Sequence, residues 1–184
     1  MLTPFRLTAY LWLAFLSIWL VASVFTKRTR RRALWKTWGA RLAIVAVIVA
    51  ANLYSGAAGG ALWRVPPAWQ WIGVLLCAAG LGFAVWARIH LGRNWGMPMS
   101  LREGHELITS GPYAQVRHPI YTGILLGVLG SALAVALVWL WALALFFGYF
   151  LYSARTEERM MSEQFPEAYP AYKARTRMLI PFVL

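Results

Sequence analysis

Acidic residues are scarce in this chain. All six carboxylates are glutamates, and none precedes Glu103. Chemistry that needs a carboxylate must therefore draw on Glu103, Glu106, Glu157, Glu158, Glu163 or Glu167. Cysteine is almost missing too. Cys77 stands alone inside an apolar run, which excludes an intrachain disulfide and leaves a small buried apolar residue as the plain reading. Three histidines, His90, His105 and His118, have spacings that match no metal motif, and neither cysteine nor aspartate stands ready to help. No metal site is expected. A glycine-rich dinucleotide fingerprint is also lacking.

Apolar residues are abundant. The 184 residues are 60% hydrophobic, and the mean hydropathy is +0.57. A soluble domain is nearer half apolar and shows no long apolar runs. The formal net charge is +12, but the cations sit where a membrane protein needs them. Lys27, Arg28, Arg30, Arg31, Arg32, Lys36 and Arg41 fall between two apolar segments, where they set orientation and meet anionic headgroups. No basic-aromatic soluble module is present, so nucleic acid is not an expected partner.

Five spans are predicted, at residues 7–25, 40–58, 69–89, 120–134 and 136–156. Each of the first three is close to the ~20 residues that cross a bilayer. The uncharged run from Ile120 to Tyr152 would be ~50 Å long as one helix, so it is divided into a tight hairpin. Gly123, Gly127 and Gly130 are expected to let the two arms of that hairpin approach closely. Only Arg6 precedes the first run, so that run reads as a retained span with its N-terminus outside. Residues 90–119 then form a polar cytosolic loop. Residues 157–184 form a cytosolic tail, broken from the last span by Pro166 and Pro170. Tyr169 and Tyr172 fall on one side of it and Lys173, Arg175 and Arg177 on the other, which suits the membrane surface. The fold class is all-α integral membrane, in one domain.

The polar groups cluster at one end. Pro119 opens a helix, where its missing N–H costs nothing. The bare N–H groups and dipole of that corner attract an anion, and Arg117 adds a full charge beside them. His118 stands at the cap position. Glu157 lines up with Ser153 and Tyr149 at helical spacing, giving a polar stripe into the bundle. Glu158 points about 100° away and is one turn from Arg155, its simplest partner. A carboxylate at 157 suits an ammonium group. Tyr113, Tyr121 and Trp95 can offer ring faces to a cation.

The motif His105-Glu106-Leu107-Ile108, Gly111-Pro112-Tyr113, Arg117-His118-Pro119-Ile120-Tyr121, an apolar hairpin, Glu157-Glu158 and then Phe165, Tyr169 and Tyr172 resembles the isoprenylcysteine carboxyl methyltransferase family and the related phospholipid methyltransferases. The likeness runs from about residue 90 to Leu184. It implies S-adenosylmethionine as cofactor, enclosed by His105, Glu106, Leu107, Ile108, Tyr113, His118, Pro119, Ile120, Tyr121 and Glu157, with Arg117 added by its charge. The tail would close this pocket. The expected activity is methyl transfer to a lipophilic acceptor entering from the bilayer, first of all the carboxylate of an isoprenylcysteine-like substrate. Arg155 would orient that carboxylate. A phospholipid amine, or another small amine or thiol, is the alternative, with a glutamate as base. A non-enzymatic lipid-binding scaffold is a second alternative. An excess of Arg over Lys, with many Ala and Trp, suggests a GC-rich bacterium, and hence an inner membrane with site and C-terminus cytoplasmic.

Overall fold

A computed structural model describes residues 2–25, 29–32, 65–95, 100–102, 106–137 and 139–180. The expected span 40–58 and the site candidate His105 lie outside the described residues. Among the described residues five α-helices are seen: α1 (Pro4–Ser23), α2 (Pro67–Leu91), α3 (Pro119–Ala134), α4 (Trp139–Gln164) and α5 (Ala168–Arg175). A short antiparallel ribbon, β1 (Thr29–Arg32) with β2 (Ser100–Arg102), is the one departure from an all-α architecture among the described residues.

Prolines open three of the helices. Pro4, Pro67 and Pro119 each occupy the first turn, where no N–H is required. Thr3 caps α1, accepting from Arg6 N at 3.3 Å. Of the two prolines expected to end the last long helix, only Pro166 lies in the break after Gln164; Pro170 does not. It sits in the first turn of α5, which tolerates proline.

Glycines decide how α2 meets α3. A Cβ on Gly73 would lie 2.3 Å from Ala134 N, and one on Gly130 would lie 2.3 Å from Cys77 N. A Cβ on Gly123 would meet Gly80 O at 2.6 Å. The two backbones therefore touch along their length, in antiparallel order. This corrects an expectation. Gly123, Gly127 and Gly130 face α2 and α1, not the other arm of a hairpin; a Cβ on Gly127 would meet Leu81 and Trp12.

α1 lies parallel to α2. Phe15 packs with Cys77, Leu81 and Ala84, and Trp12 Nε1 donates to Ser131 Oγ at 2.9 Å. Arg88 joins the two helix ends. It is 4% exposed; Nη2 donates to Ala22 O at 2.6 Å and Nη1 to Gly92 O at 2.8 Å. A cation there satisfies carbonyls that a helix C-terminus leaves open. Its guanidinium also lies 4.6 Å over the Trp95 ring.

Among the described residues two helices, α1 and α2, are long and apolar enough to cross a membrane. Their outer faces expose Leu13, Leu16, Leu20, Leu75 and Trp86. Such a surface suits lipid better than water. α3 is shorter, with 16 residues. α4 runs antiparallel to α3, since Tyr121 near the start of α3 meets Phe150 and Glu157 toward the end of α4.

Candidate functional site

A cavity of about 210 Å³ opens at the end of the bundle where α1 and α2 finish and α3 begins. Its walls come from four places: the ends of α1 and α2 (Trp19, Leu91, Asn94, Trp95), the segment 106–124, α4, and the tail. Glu106, Leu107, Ile108, Tyr113, Arg117, His118, Ile120, Tyr121 and Glu157 all line it. Pro119 is buried behind that wall.

Three rings form the floor. His118 stacks on Tyr121 with centroids 5.4 Å apart and planes 3° from parallel. Tyr121 stacks on Phe150 at 4.4 Å and 10°. Glu157 is fixed against this stack. Its Oε1 accepts from Tyr121 Oη at 2.5 Å, and its Oε2 lies 3.3 Å from His118 Nδ1. Ser153 and Tyr149 continue the same helix, but Ser153 is wholly buried and neither lines the cavity.

His118 occupies the cap position of α3, yet its side chain makes no capping hydrogen bond. The ring turns instead to the glutamates. Its Nε2 is buried, 3.7 Å from Glu158 Oε1, and has no hydrogen-bond partner among the described residues. Burial favours the neutral ring, but the two carboxylates beside it outweigh burial and raise its pKa above the ordinary value.

Glu158 answers to a different set of partners. Its expected neighbour Arg155 is exposed and does not line the cavity, so the geometry gives Arg155 no part in orienting an acceptor. Glu158 is buried and pairs with Arg117 Nε at 2.6 Å and Lys173 Nζ at 2.9 Å. Burial raises its pKa; His118, Lys173 and Arg117 more than offset this and hold it at about 2.

Arg117 also departs from expectation. Its Nε and Nη1 are committed within the protein rather than offered to an anion. Nη1 donates to Thr176 O at 2.6 Å and to Lys173 O at 3.3 Å. The tail then runs beside residues 116–118: Arg117 N donates to Arg177 O at 2.8 Å and His118 N to Met178 O at 3.1 Å. Tyr169 and Tyr172 face inward, with Tyr172 Oη donating to Tyr113 O at 2.7 Å. Burial pushes the Tyr172 phenol up to about 12, so it stays a neutral donor.

Several lining residues escaped the sequence reading. Met160 and Met161 follow Glu157 by three and four positions, and helical spacing puts them on its face. Phe150 stands two turns before it. Asn94 is buried and receives Glu106 N at 3.4 Å on Oδ1. No local pattern marks Asn94 or Trp19. His90 pairs with Ser110 Oγ at 2.9 Å and lies off the cavity.

With this geometry in view, a family model of phospholipid methyltransferases matches residues 68–168. The match covers more than half of the chain and includes α2, α3 and α4. This protein belongs to the phospholipid methyltransferase family. This membership and the apolar helices α1 and α2 together point to association with a membrane. Two curated relatives are similar to it. The cobalt-zinc-cadmium resistance protein CzcN of Cupriavidus metallidurans is 37% identical over 117 residues, covering 60% of this chain and 51% of the relative. The nickel-cobalt-cadmium resistance protein NccN of Alcaligenes xylosoxydans xylosoxydans is 32% identical over 145 residues, covering 77% of this chain and 64% of the relative. The chain thus spans between half and two thirds of each relative's length.

The charge network sets a pH window. Glu158 has a lowered pKa, so its contribution to stability is complete above the ordinary 4.5 and is lost as pH falls toward about 2. His118 has a raised pKa, so its contribution is complete below the ordinary 6.5 and is lost as pH rises through its folded value. Thermal unfolding in detergent should show the full contribution of both between about pH 4.5 and 6.5. His118→Gln should flatten the alkaline limb and move the acid limb to higher pH, since His118 is one of the groups that hold Glu158 low; an unchanged alkaline limb would refute the assignment.

Proposed function

We propose that this protein transfers a methyl group from S-adenosylmethionine to a lipophilic acceptor in the membrane. One observation carries the reading: a carboxylate, Glu157, lines an aromatic-walled cavity at the corner where α3 begins. Those groups fit the cofactor. Glu157 would hold its ammonium group, the first N–H groups of α3 its carboxylate, and Tyr113 and Tyr121 the sulfonium face. When bound, S-adenosylmethionine supplies an electrophilic methyl group. The chain's own part is to fix positions and exclude water; orientation alone contributes ~7–11 kcal/mol to such a transfer.

The acceptor we favour carries a removable proton, as an amine or thiol does. An isoprenylcysteine-like carboxylate would call for a cation at the reacting end. Arg155 is off the cavity and Arg117 is tied to Glu158 and the tail. Two carboxylates, by contrast, line the cavity. Glu157 can serve the cofactor while Glu106 receives the proton. In this reading the chain makes five crossings with α3 and α4 as a membrane hairpin, its N-terminus outside, and its cavity on the cytoplasmic side of a bacterial inner membrane.

The test uses purified protein, labelled cofactor, and three acceptors offered separately: phosphatidylethanolamine, a long-chain thiol and a prenylated cysteine analogue. Label in the amine or the thiol supports the reading. Label only in the carboxylate overturns the acceptor. No binding of S-adenosylhomocysteine by folded protein overturns the enzyme and favours a lipid-binding scaffold.

A further inference from the structure

Glu158 is adjacent to Glu157 but does not line the cavity. It is the buried centre of a tether. One oxygen takes Arg117, from the corner before α3; the other takes Lys173, from the tail. Arg117 extends the tether by donating to the carbonyls of Thr176 and Lys173. What this tether holds is the outer wall, because Tyr169 and Tyr172 of the tail line the cavity.

The wall stands where a ligand must pass. A charged ligand, as the function proposed above requires, cannot reach the cavity through hydrocarbon. The aqueous approach is covered by α5 and the residues after it. We propose that Glu158 is a positioning residue that, through Arg117 and Lys173, holds residues 168–180 as a closable wall, and that the ligand enters and leaves when this wall detaches. The inference rests on the cofactor reading only for the identity of that ligand.

The attachments suit a wall that opens. α5 joins α4 through a short turn, Phe165–Glu167. Lys173 is 52% exposed, so its bond to Glu158 is weakened by water. The Arg117–Glu158 pair is buried on both sides and resists separation more strongly.

Trypsin reads the wall directly, because Arg175 and Arg177 are exposed targets on it. Full-length protein in detergent is digested and cleavage at those two sites is followed by mass spectrometry. Cleavage of a transiently open segment tracks its open population, so Glu158→Gln should be cut roughly tenfold faster than wild type. Lys173→Gln, which leaves no buried charge unpaired, should shift the rate in the same direction by a smaller factor. S-adenosylhomocysteine should protect wild type, and both its association with Glu158→Gln and its dissociation from it should be about tenfold faster, because each passes through the open wall. Glu157→Gln should lose ligand protection yet show the wild-type rate without ligand. Wild-type cleavage in both Glu158→Gln and Lys173→Gln overturns the tether. Faster cleavage in those variants, with no protection of any protein by the ligand, keeps the tether and overturns the cofactor reading instead.

Discussion

Glu157→Gln lowers the affinity for S-adenosylhomocysteine about 100-fold and removes measurable methyl transfer. The reasoning starts from the size of the change. Glutamine keeps the shape of the side chain and can still accept from Tyr121 Oη, which lies 2.5 Å from the present carboxylate. What it lacks is the charge. A hydrogen bond to a charged group contributes ~1.5–3 kcal/mol, and an ammonium group facing a neutral amide forfeits most of it. A loss near the upper end is expected, because the aromatic wall of Tyr113, Tyr121 and Phe150 keeps water from compensating. Calorimetry checks the binding and circular dichroism checks that the helices remain. A change smaller than about threefold, worth well under 1 kcal/mol, would show that Glu157 does not meet the cofactor.

Gly130→Ala should be, with Gly73→Ala, among the most destabilising single-methyl changes in the described part of the molecule. The new carbon would lie 2.3 Å from Cys77 N and 2.7 Å from Gly73 O. Both are backbone atoms, so no side chain can swing aside. The helices themselves must part, and overpacking of this kind costs ~3 kcal/mol or more. A chain of this size then loses about 6–12 °C in Tm. Gly148→Ala is the matched control. Nothing lies within 4 Å of that position, and alanine is the better helix former. It should hold or raise Tm. Equal Tm values for the two variants would mean that α2 and α3 do not touch as described.

Some of this was legible in the sequence and some was not, for physical reasons. The start of α3 was legible because Pro119 suits the first helical position; Pro4 and Pro67 open α1 and α2 in the same way, but the apolar runs alone placed those starts two to three residues late, at 7 and 69. The split between Glu157 and Glu158 was legible because neighbouring helical residues diverge by about 100°. Their partners were not. Glu158 ignores Arg155 one turn away and takes Arg117, 41 residues distant. An exposed local pair is worth little, while a buried pair with a shared network is held firmly. The glycine face of α3 was visible as a spacing, but spacing cannot say which helix it meets. Asn94 carries no pattern at all; only the return of residues 106–108 over the end of α2 gives it a role.

The brevity of α3 has a consequence for the surrounding bilayer. At 16 residues it is ~24 Å long, against ~37 Å for the 25 residues of α2. The glycine seam forbids the two from sliding to share the difference. On the five-crossing arrangement proposed here, the turnback at Val135, Ala136 and Leu137 stops short of the far headgroups of a ~30 Å slab. Those three side chains are apolar, as befits a bend sunk in acyl chains. A thick membrane must therefore dimple inward around this protein, and a thin one fits it undisturbed.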